Sequence, residues 1–478
     1  MEYEAVIGLE VHVQLKTKSK MFCGCPTVFG AQPNTQVCPV CLGLPGVLPV
    51  VNKKAVIATI KTGLMLGSTI SHFSKFDRKN YYYPDLPKNY QVSQFDKPLC
   101  LGGSIDVELD GVGKSIGVTR VHLEEDAGKL THMDVLGKSG VDFNRTGIPL
   151  MEIVSEPDMH TPEEAFEYLK AVKQIITYLE VSDCNMEEGS LRCDANVSIR
   201  PVGETKLGTK AEVKNMNSFS NVRKALTFEI DRLKECVSRN ERIIQETRLW
   251  DVTTQKTFSM RSKEEAHDYR YFPEPDLVPM QFSDEYIESI RATIPEMPAE
   301  RKERFIQKYG LNDYTAGVMT SEKAIADYFE QCTSQFSDFT MVANWIMGDL
   351  LRDLNENNIA INMSPVSTSM LVDMLKLIEN KTISGKIAKD VFVDMFKTGK
   401  QAKIIVKEKG LMQITDESAI RDIAKDVIAH NKASAEDYRK GKKQAIGFLV
   451  GQVMKATKGK ANPQLVNKML VEEIEKSE

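Results

Sequence analysis

Residues 144–158 read Asn-Arg-Thr-Gly-Ile-Pro-Leu-Met-Glu-Ile-Val-Ser-Glu-Pro-Asp, and within this otherwise apolar, strand-like run sits one carboxylate, Glu152. Side chains alternate along a strand, so Glu152 shares a face with Leu150 and Val154. Burying it there is costly unless a cation or hydrogen-bond donors meet it. A Glu on a solvated sheet face is the plain alternative, and other segments decide between the two.

Residues 3–14 alternate cleanly. Ala5, Ile7, Leu9, Val11 and Val13 point one way, and Glu10, His12 and Gln14 the other. Residues 116–126, Ile-Gly-Val-Thr-Arg-Val-His-Leu-Glu-Glu-Asp, form a strand ending in acids, so Glu124 and Glu125 must face opposite sides. Residues 191–200 oppose Leu191, Cys193, Ala195, Val197 and Ile199 to Arg192, Asp194, Asn196, Ser198 and Arg200, and Lys210, Glu212 and Lys214 share one side of a shorter run. Together these segments predict an antiparallel sheet with one packed face and one polar face of carboxylates, a histidine, an asparagine, lysines and arginine. Oxygen donors with an occasional imidazole suit magnesium or manganese, and the interleaved cations suit the phosphates such a metal carries.

At 478 residues the chain has room for about three domains. No apolar stretch approaches the ~20 residues of a membrane span. The start, Met-Glu-Tyr-Glu-Ala, lacks the features of a signal peptide, which predicts a cytoplasmic protein with no membrane contact. A net charge of −5 gives no global argument for nucleic-acid binding, so such a partner needs a local basic patch. Nine cysteines, an odd count, argue against a disulfide framework.

Four of those cysteines, Cys23, Cys25, Cys38 and Cys41, lie in a loop at 22–42 rich in glycine and proline. Two close pairs let four thiolates converge on one tetrahedral zinc, the alternatives being reduced thiols or a redox pair. Four protein ligands leave no open position, so this zinc is structural. Residues 52–68 look helical. Residues 75–91 then set four tyrosines among Lys75, Arg78, Lys79 and Lys88, which fits base stacking with phosphate tracking or a packing loop equally well. Thr161-Pro162-Glu163-Glu164 is a helix start with a capping box, opening a helix to about residue 180, and a second helix spans 218–239. At 261–276 a dense polar and aromatic block offers His267, Asp268, Arg270 and Glu274 to the site, or is a surface loop.

A proline-spaced passage ends the first unit at residue 294, after which the pattern is helical through a second unit, 295–405, and a third, 406–478. Tyr438 to Lys468 holds eight Lys or Arg and no acid. Its cations Arg439, Lys440, Lys442, Lys443, Lys455, Lys458 and Lys460 surround a helix and a glycine-containing loop. That favours nucleic acid over a merely solvated helix face. The sequence has no Walker-type loop, dinucleotide fingerprint or nucleophile elbow, so ATP, if used, is held by a sheet and metals.

Gly8-Leu-Glu-Val-His-Val13, Lys75 to Tyr83, His122-Leu-Glu-Glu-Asp-Ala-Gly128, Glu152-Ile-Val-Ser-Glu-Pro-Asp158 and Glu187-Glu-Gly-Ser-Leu-Arg-Cys-Asp-Ala-Asn196 together resemble the B subunits of the aspartyl/glutamyl-tRNA amidotransferases, from the first strand to the basic tail. The resemblance implies an α+β fold: a glutamine-synthetase-like antiparallel-sheet cradle domain (1–294), an all-helical domain (295–405) and a small helical tail domain (406–478) that grips tRNA. It implies a ligase that uses ATP to phosphorylate the side-chain carboxylate of Glu-tRNA(Gln), Asp-tRNA(Asn) or both. Amidation follows with ammonia from a separate amidase subunit, in a heterotrimer completed by a small third subunit; transient association with an aminoacyl-tRNA synthetase is compatible with this role. The metal ligands implied are His12, Glu125 and Glu152, with Glu10 and Glu124 as supporting or second-metal ligands. Asp194, Asn196 and Glu212 are further ligands of the metal-nucleotide, and Arg192, Lys210 and Lys214 are cations for its phosphates. The expected cofactors are therefore ATP, Mg2+ or Mn2+, and structural Zn2+. The competing expectation is a tRNA-binding scaffold whose acidic face holds only structural metal.

Overall fold

The computed structural model describes residues 2–133, 137–262, 268–412, 417–457 and 461–476. The chain is α+β and divides into two compact units, Met1–Met297 and Pro298–Glu478.

The first unit begins with β1 (Tyr3–Gln14), α1 (Lys53–Met65), β2 (Thr69–Ile70), β3 (Phe73–Ser74), β4 (Asp77–Asn80), β5 (Tyr90–Ser93), β6 (Cys100–Leu101), β7 (Ser104–Leu109) and β8 (Val112–Glu125). It continues with β9 (Lys129–Met133), β10 (Lys138–Asp142), β11 (Pro149–Ser155), α2 (Pro162–Tyr178), β12 (Leu191–Pro201), β13 (Ala211–Lys214), α3 (Phe219–Ser238), β14 (Glu246–Asp251) and β15 (Lys256–Ser262). Ten of the strands make one sheet, ordered β15-β14-β13-β12-β1-β11-β8-β6-β2, with β7 also paired to β8. β1 is central because its alternation is the cleanest: Ile7, Leu9, Val11 and Val13 are at most 1% exposed and enter the core. Burial of each contributes about 1.5–3 kcal/mol. That core continues into α2 through Tyr168, Leu169, Val172 and Ile176, and into α3 through Val222, Leu226 and Leu233.

The helix starts follow their caps. Asn52, Thr161 and Ser218 accept from the backbone N–H of Lys54, Glu164 and Asn221, opening α1, α2 and α3. The capping box expected at α2 is half formed: the Glu164 carboxylate accepts from His160 N at 2.6 Å and from Lys114 Nζ at 2.9 Å. The sheet departs from the expected all-antiparallel pairing at one place, where β13 and β14 run parallel. The cause is α3, which fills the connection between them; a parallel pair requires such a crossover.

In the second unit, helices from Pro298–Tyr309 to Ala402–Glu408 enclose a core containing Phe305, Phe329, Ile346 and Phe392. Helices from Glu417–His430 to Pro463–Lys476 share a separate core of Leu449, Val453, Met469 and Leu470. Val406, placed by sequence at the head of the tail, packs in the larger of these cores. Among the described residues, no helix is long and apolar enough to cross a membrane.

Candidate active site

The register of the central strands converts the sequence pattern into a lattice of polar side chains. Arg192 on β12 lies opposite His12 on β1, His12 opposite Glu152 on β11, and Glu152 opposite His122 on β8. One step along, Asp194 lies opposite Glu10, and two steps along, Glu212 on β13 lies opposite Asn196. All of these positions alternate with buried apolar residues, so they share the face away from α2 and α3.

Two clusters result. In the first, His12 Nε2 stands 3.7 Å from Glu124 Oε1 and 3.6 Å from Glu152 Oε2, and His122 Nε2 is 3.3 Å from the same Glu152 oxygen. Glu124 is only 3% exposed. Burial, reinforced by the Glu152 charge, pushes its carboxyl above the usual carboxylate range. Burial acts likewise on Glu152, but His122 and His12 outweigh it and hold Glu152 well below that range. In the second cluster, Glu10, Asp194 and Glu212 bring one carboxylate oxygen each within 4.8 Å of the others. Asn196 Nδ2 donates to Glu10 Oε1 at 2.9 Å, Lys214 Nζ pairs with Asp194 and lies 3.1 Å from Glu212 Oε1, and Thr247 Oγ1 donates to Glu212 Oε2 at 2.7 Å. Imidazole plus carboxylates, and carboxylates alone, are donor sets for hard divalent cations, so the residues present fit magnesium or manganese.

Glu125, expected beside His12 and Glu152, is elsewhere. It occupies the opposite phase of β8, pairs with Lys88 and accepts from Val92 N at 3.0 Å. There it borders a cavity of about 200 Å³ that also touches Cys23 and Cys41 of the cysteine loop. The third member of the histidine cluster is Glu124. The sequence carried that signal: with Val121 and Leu123 inward, His122 and Glu124 must both face outward.

The expected phosphate cations separate too. Arg192 Nη2 lies 2.9 Å from Asp126 Oδ2, and that charge raises the guanidinium pKa further. Burial would lower Lys214, but Asp194 and Glu212 outweigh it and keep the amine charged. Lys210 is exposed before β13 and makes no ion pair among the described residues. A further cation, Lys79, lies on β4, within the tyrosine-rich stretch 75–91. Its Nζ lies 4.9 Å from the Tyr269 ring centre and 5.9 Å from that of Tyr81. Burial opposes its charge, and Glu124 and the surrounding tyrosines more than compensate. Of the 261–276 block, Glu274 is buried and held by Arg78 through bonds of 2.8 and 2.7 Å. Asp268 and Arg270 are exposed, with Asp268 accepting from Arg270 N, and His267 lies outside the described residues.

The four loop cysteines do converge. Their sulfur atoms lie within 4.8 Å of one another, a set that could hold a zinc ion. Cys41 Sγ accepts from Cys38 N at 3.2 Å and lies 3.7 Å from Lys20 Nζ. Contact with the Cys23 thiol, against the effect of burial, and the charge of Lys20 bring Cys41 down to about 5, while the same contact and burial push Cys23 up. Of the four, Cys41 is the one whose thiolate is favoured. In the tail, Lys440, Lys442, Lys443 and Lys455 are exposed, Lys442 pairing with Asp437. Arg439 donates to Ile474 O at 3.1 Å, and Lys458 and Lys460 lie outside the described residues.

Comparison with known proteins gives the class of this fold and face. Residues 5–288 match the family model of the GatB/GatE catalytic domain, and residues 327–474 match that of the GatB domain. Proteins named as the B subunit of aspartyl/glutamyl-tRNA(Asn/Gln) amidotransferase are similar over the full chain. That of Thermoanaerobacter sp. (strain X514) is 59% identical over 100% of both chains, and that of Brevibacillus brevis (strain 47) is 58% identical over 98% of both. The chain belongs to the family of aspartyl/glutamyl-tRNA(Asn/Gln) amidotransferase B subunits.

Proposed function

We propose that this chain carries the ATP-dependent amidation of Glu-tRNA(Gln), Asp-tRNA(Asn) or both, on the polar face of its sheet. A carboxylate is a poor electrophile toward ammonia. In the proposed reaction a side-chain carboxylate oxygen attacks the γ-phosphorus of ATP and ADP leaves. Ammonia then attacks the acyl-phosphate carbon, phosphate departs, and the nitrogen loses a proton. The observation that carries this reading is the adjacency of the two clusters, His12–Glu124–Glu152 and Glu10–Asp194–Glu212, on neighbouring rows of one face.

These residues would hold divalent cations, Mg2+ or Mn2+, which supply neutralisation of phosphate oxygens during transfer. His122 braces the Glu152 carboxylate, and Asn196 braces Glu10. Lys79, enclosed by tyrosines beside Glu124, presents a fixed positive charge to an incoming anion. Arg192 and Lys214 are held by acids of the same face, ready to exchange those partners for phosphate oxygens. The cysteine loop would hold structural zinc, and the exposed lysines of the tail, 406–478, would contact tRNA phosphates. Ammonia would come from a separate amidase subunit in a heterotrimer with a small third subunit.

The test is Glu152→Gln in the assembled enzyme. Loss of ADP release with tRNA binding retained supports the reading. ADP release at the wild-type rate would leave the chain as a tRNA-holding scaffold.

A further inference from the structure

Thr247 is 5% exposed at the edge of the second acidic cluster. It sits on β14 directly opposite Glu212 in the one parallel pair of the sheet, and its hydroxyl donates to Glu212 Oε2 at 2.7 Å. The other carboxylate oxygen, Oε1, faces Lys214 Nζ at 3.1 Å. Each oxygen of Glu212 therefore has its own donor, which fixes the plane of the carboxylate.

The backbone under Thr247 is held from the opposite side. The next residue, Arg248, turns to the core face. There its Nε donates to Thr257 Oγ1 at 2.8 Å, and that hydroxyl donates to the fully buried Glu229 of α3 at 2.7 Å. Arg248 Nε itself lies 3.3 Å from Glu229 Oε2. The pairing of β14 with β15 shifts register between Thr247 and Arg248, where the two side chains diverge to their separate partners.

We infer that Thr247 is a positioning residue. By holding one oxygen of Glu212, it leaves the other shared between Lys214 and the centre formed with Glu10 and Asp194. Without that hydroxyl the Glu212 carboxylate is free to rotate and close with both oxygens on Lys214, away from Glu10 and Asp194. The inference rests on the proposed reading of that cluster as a divalent-cation site. Removing a hydrogen bond that orients a metal-binding carboxylate typically lowers metal affinity by about tenfold or more.

The experiment is a Mn2+ titration of the full chain followed by electron paramagnetic resonance, on wild type, Thr247→Val, Thr247→Ser and Glu212→Gln, with the unfolding midpoint of each recorded. Valine keeps the branched shape and drops the hydroxyl; serine keeps the hydroxyl. The expected result is one class of Mn2+ site weakened about tenfold in Thr247→Val, within twofold of wild type in Thr247→Ser, and lost in Glu212→Gln. The unfolding midpoints of the two Thr247 variants should match. If Thr247→Val does not fold, Thr247→Ala takes its place. Wild-type Mn2+ affinity in the hydroxyl-free variant, alongside loss of a site in Glu212→Gln, overturns the positioning role alone. Every site intact in Glu212→Gln overturns the cation reading of the cluster, and the inference with it.

Discussion

Glu124 and Glu125, neighbours on β8, serve opposite sides of the sheet: Glu124 Oε1 lies 3.7 Å from His12 Nε2, while Glu125 pairs with Lys88 beside the cysteine loop. The same substitution at the two positions should therefore have two different effects. Glu124→Gln should remove a Mn2+ site with little change in stability. Glu125→Gln should keep Mn2+ stoichiometry and cost about 3 kcal/mol by leaving the largely buried Lys88 amine without its counter-charge. Mn2+ titration and chemical denaturation of both variants check this, and identical behaviour would contradict the assignment of faces.

The cysteine loop gives a separate prediction. Cys38→Ser should abolish stoichiometric zinc and lower the unfolding midpoint by several degrees, because the loop loses the ligand that gathers its two halves. Elemental analysis with thermal unfolding checks it. A zinc-free variant with an unchanged midpoint would remove the structural role.

What is legible in the sequence follows from where the chemistry lies. The periodicity of β1 and β12 marked Glu10, His12, Arg192, Asp194 and Asn196 on one face because alternation is a local property of each strand. The cap residue Thr161 is local as well. What the sequence could not supply was which strands are neighbours. The phase of β8 selects Glu124 over Glu125, but only the pairing of β11 with β8 brings that row within reach of His12, and a crossover helix places Thr247 against Glu212. Arg192 reads as a free phosphate ligand because its partner, Asp126, lies on another segment, and Lys214 because one of its two partners, Asp194, lies on β12.

Buried Glu229 bonds Arg232, Arg248 and Thr257 and so ties α3 to β14 and β15. Replacing it by Gln leaves two guanidinium groups without a full counter-charge. The expected cost is about 3 kcal/mol, read from denaturant midpoints, whereas a loss below about 0.5 kcal/mol would show the network to be dispensable.

In the helical unit, burial would raise Glu330, but Arg304 and Arg301 outweigh it and hold the carboxyl at about 2. A folded-state value below the unfolded one means this contribution is present above pH ~4.5 and lost as pH falls toward 2. The group is partly solvated, so about 1 kcal/mol is at stake. Unfolding followed from pH 5 to pH 3 should show this slope, reduced in Glu330→Gln; an unchanged slope would contradict it.

The most direct test of the central claim is ADP release by the assembled enzyme, with ammonium as nitrogen donor and Glu-tRNA(Gln) present or absent, comparing wild type with Glu152→Gln. Release should depend on the charged tRNA and fall by roughly a hundredfold or more in the variant. Undiminished tRNA-dependent release from Glu152→Gln would place the phosphoryl transfer somewhere other than this face.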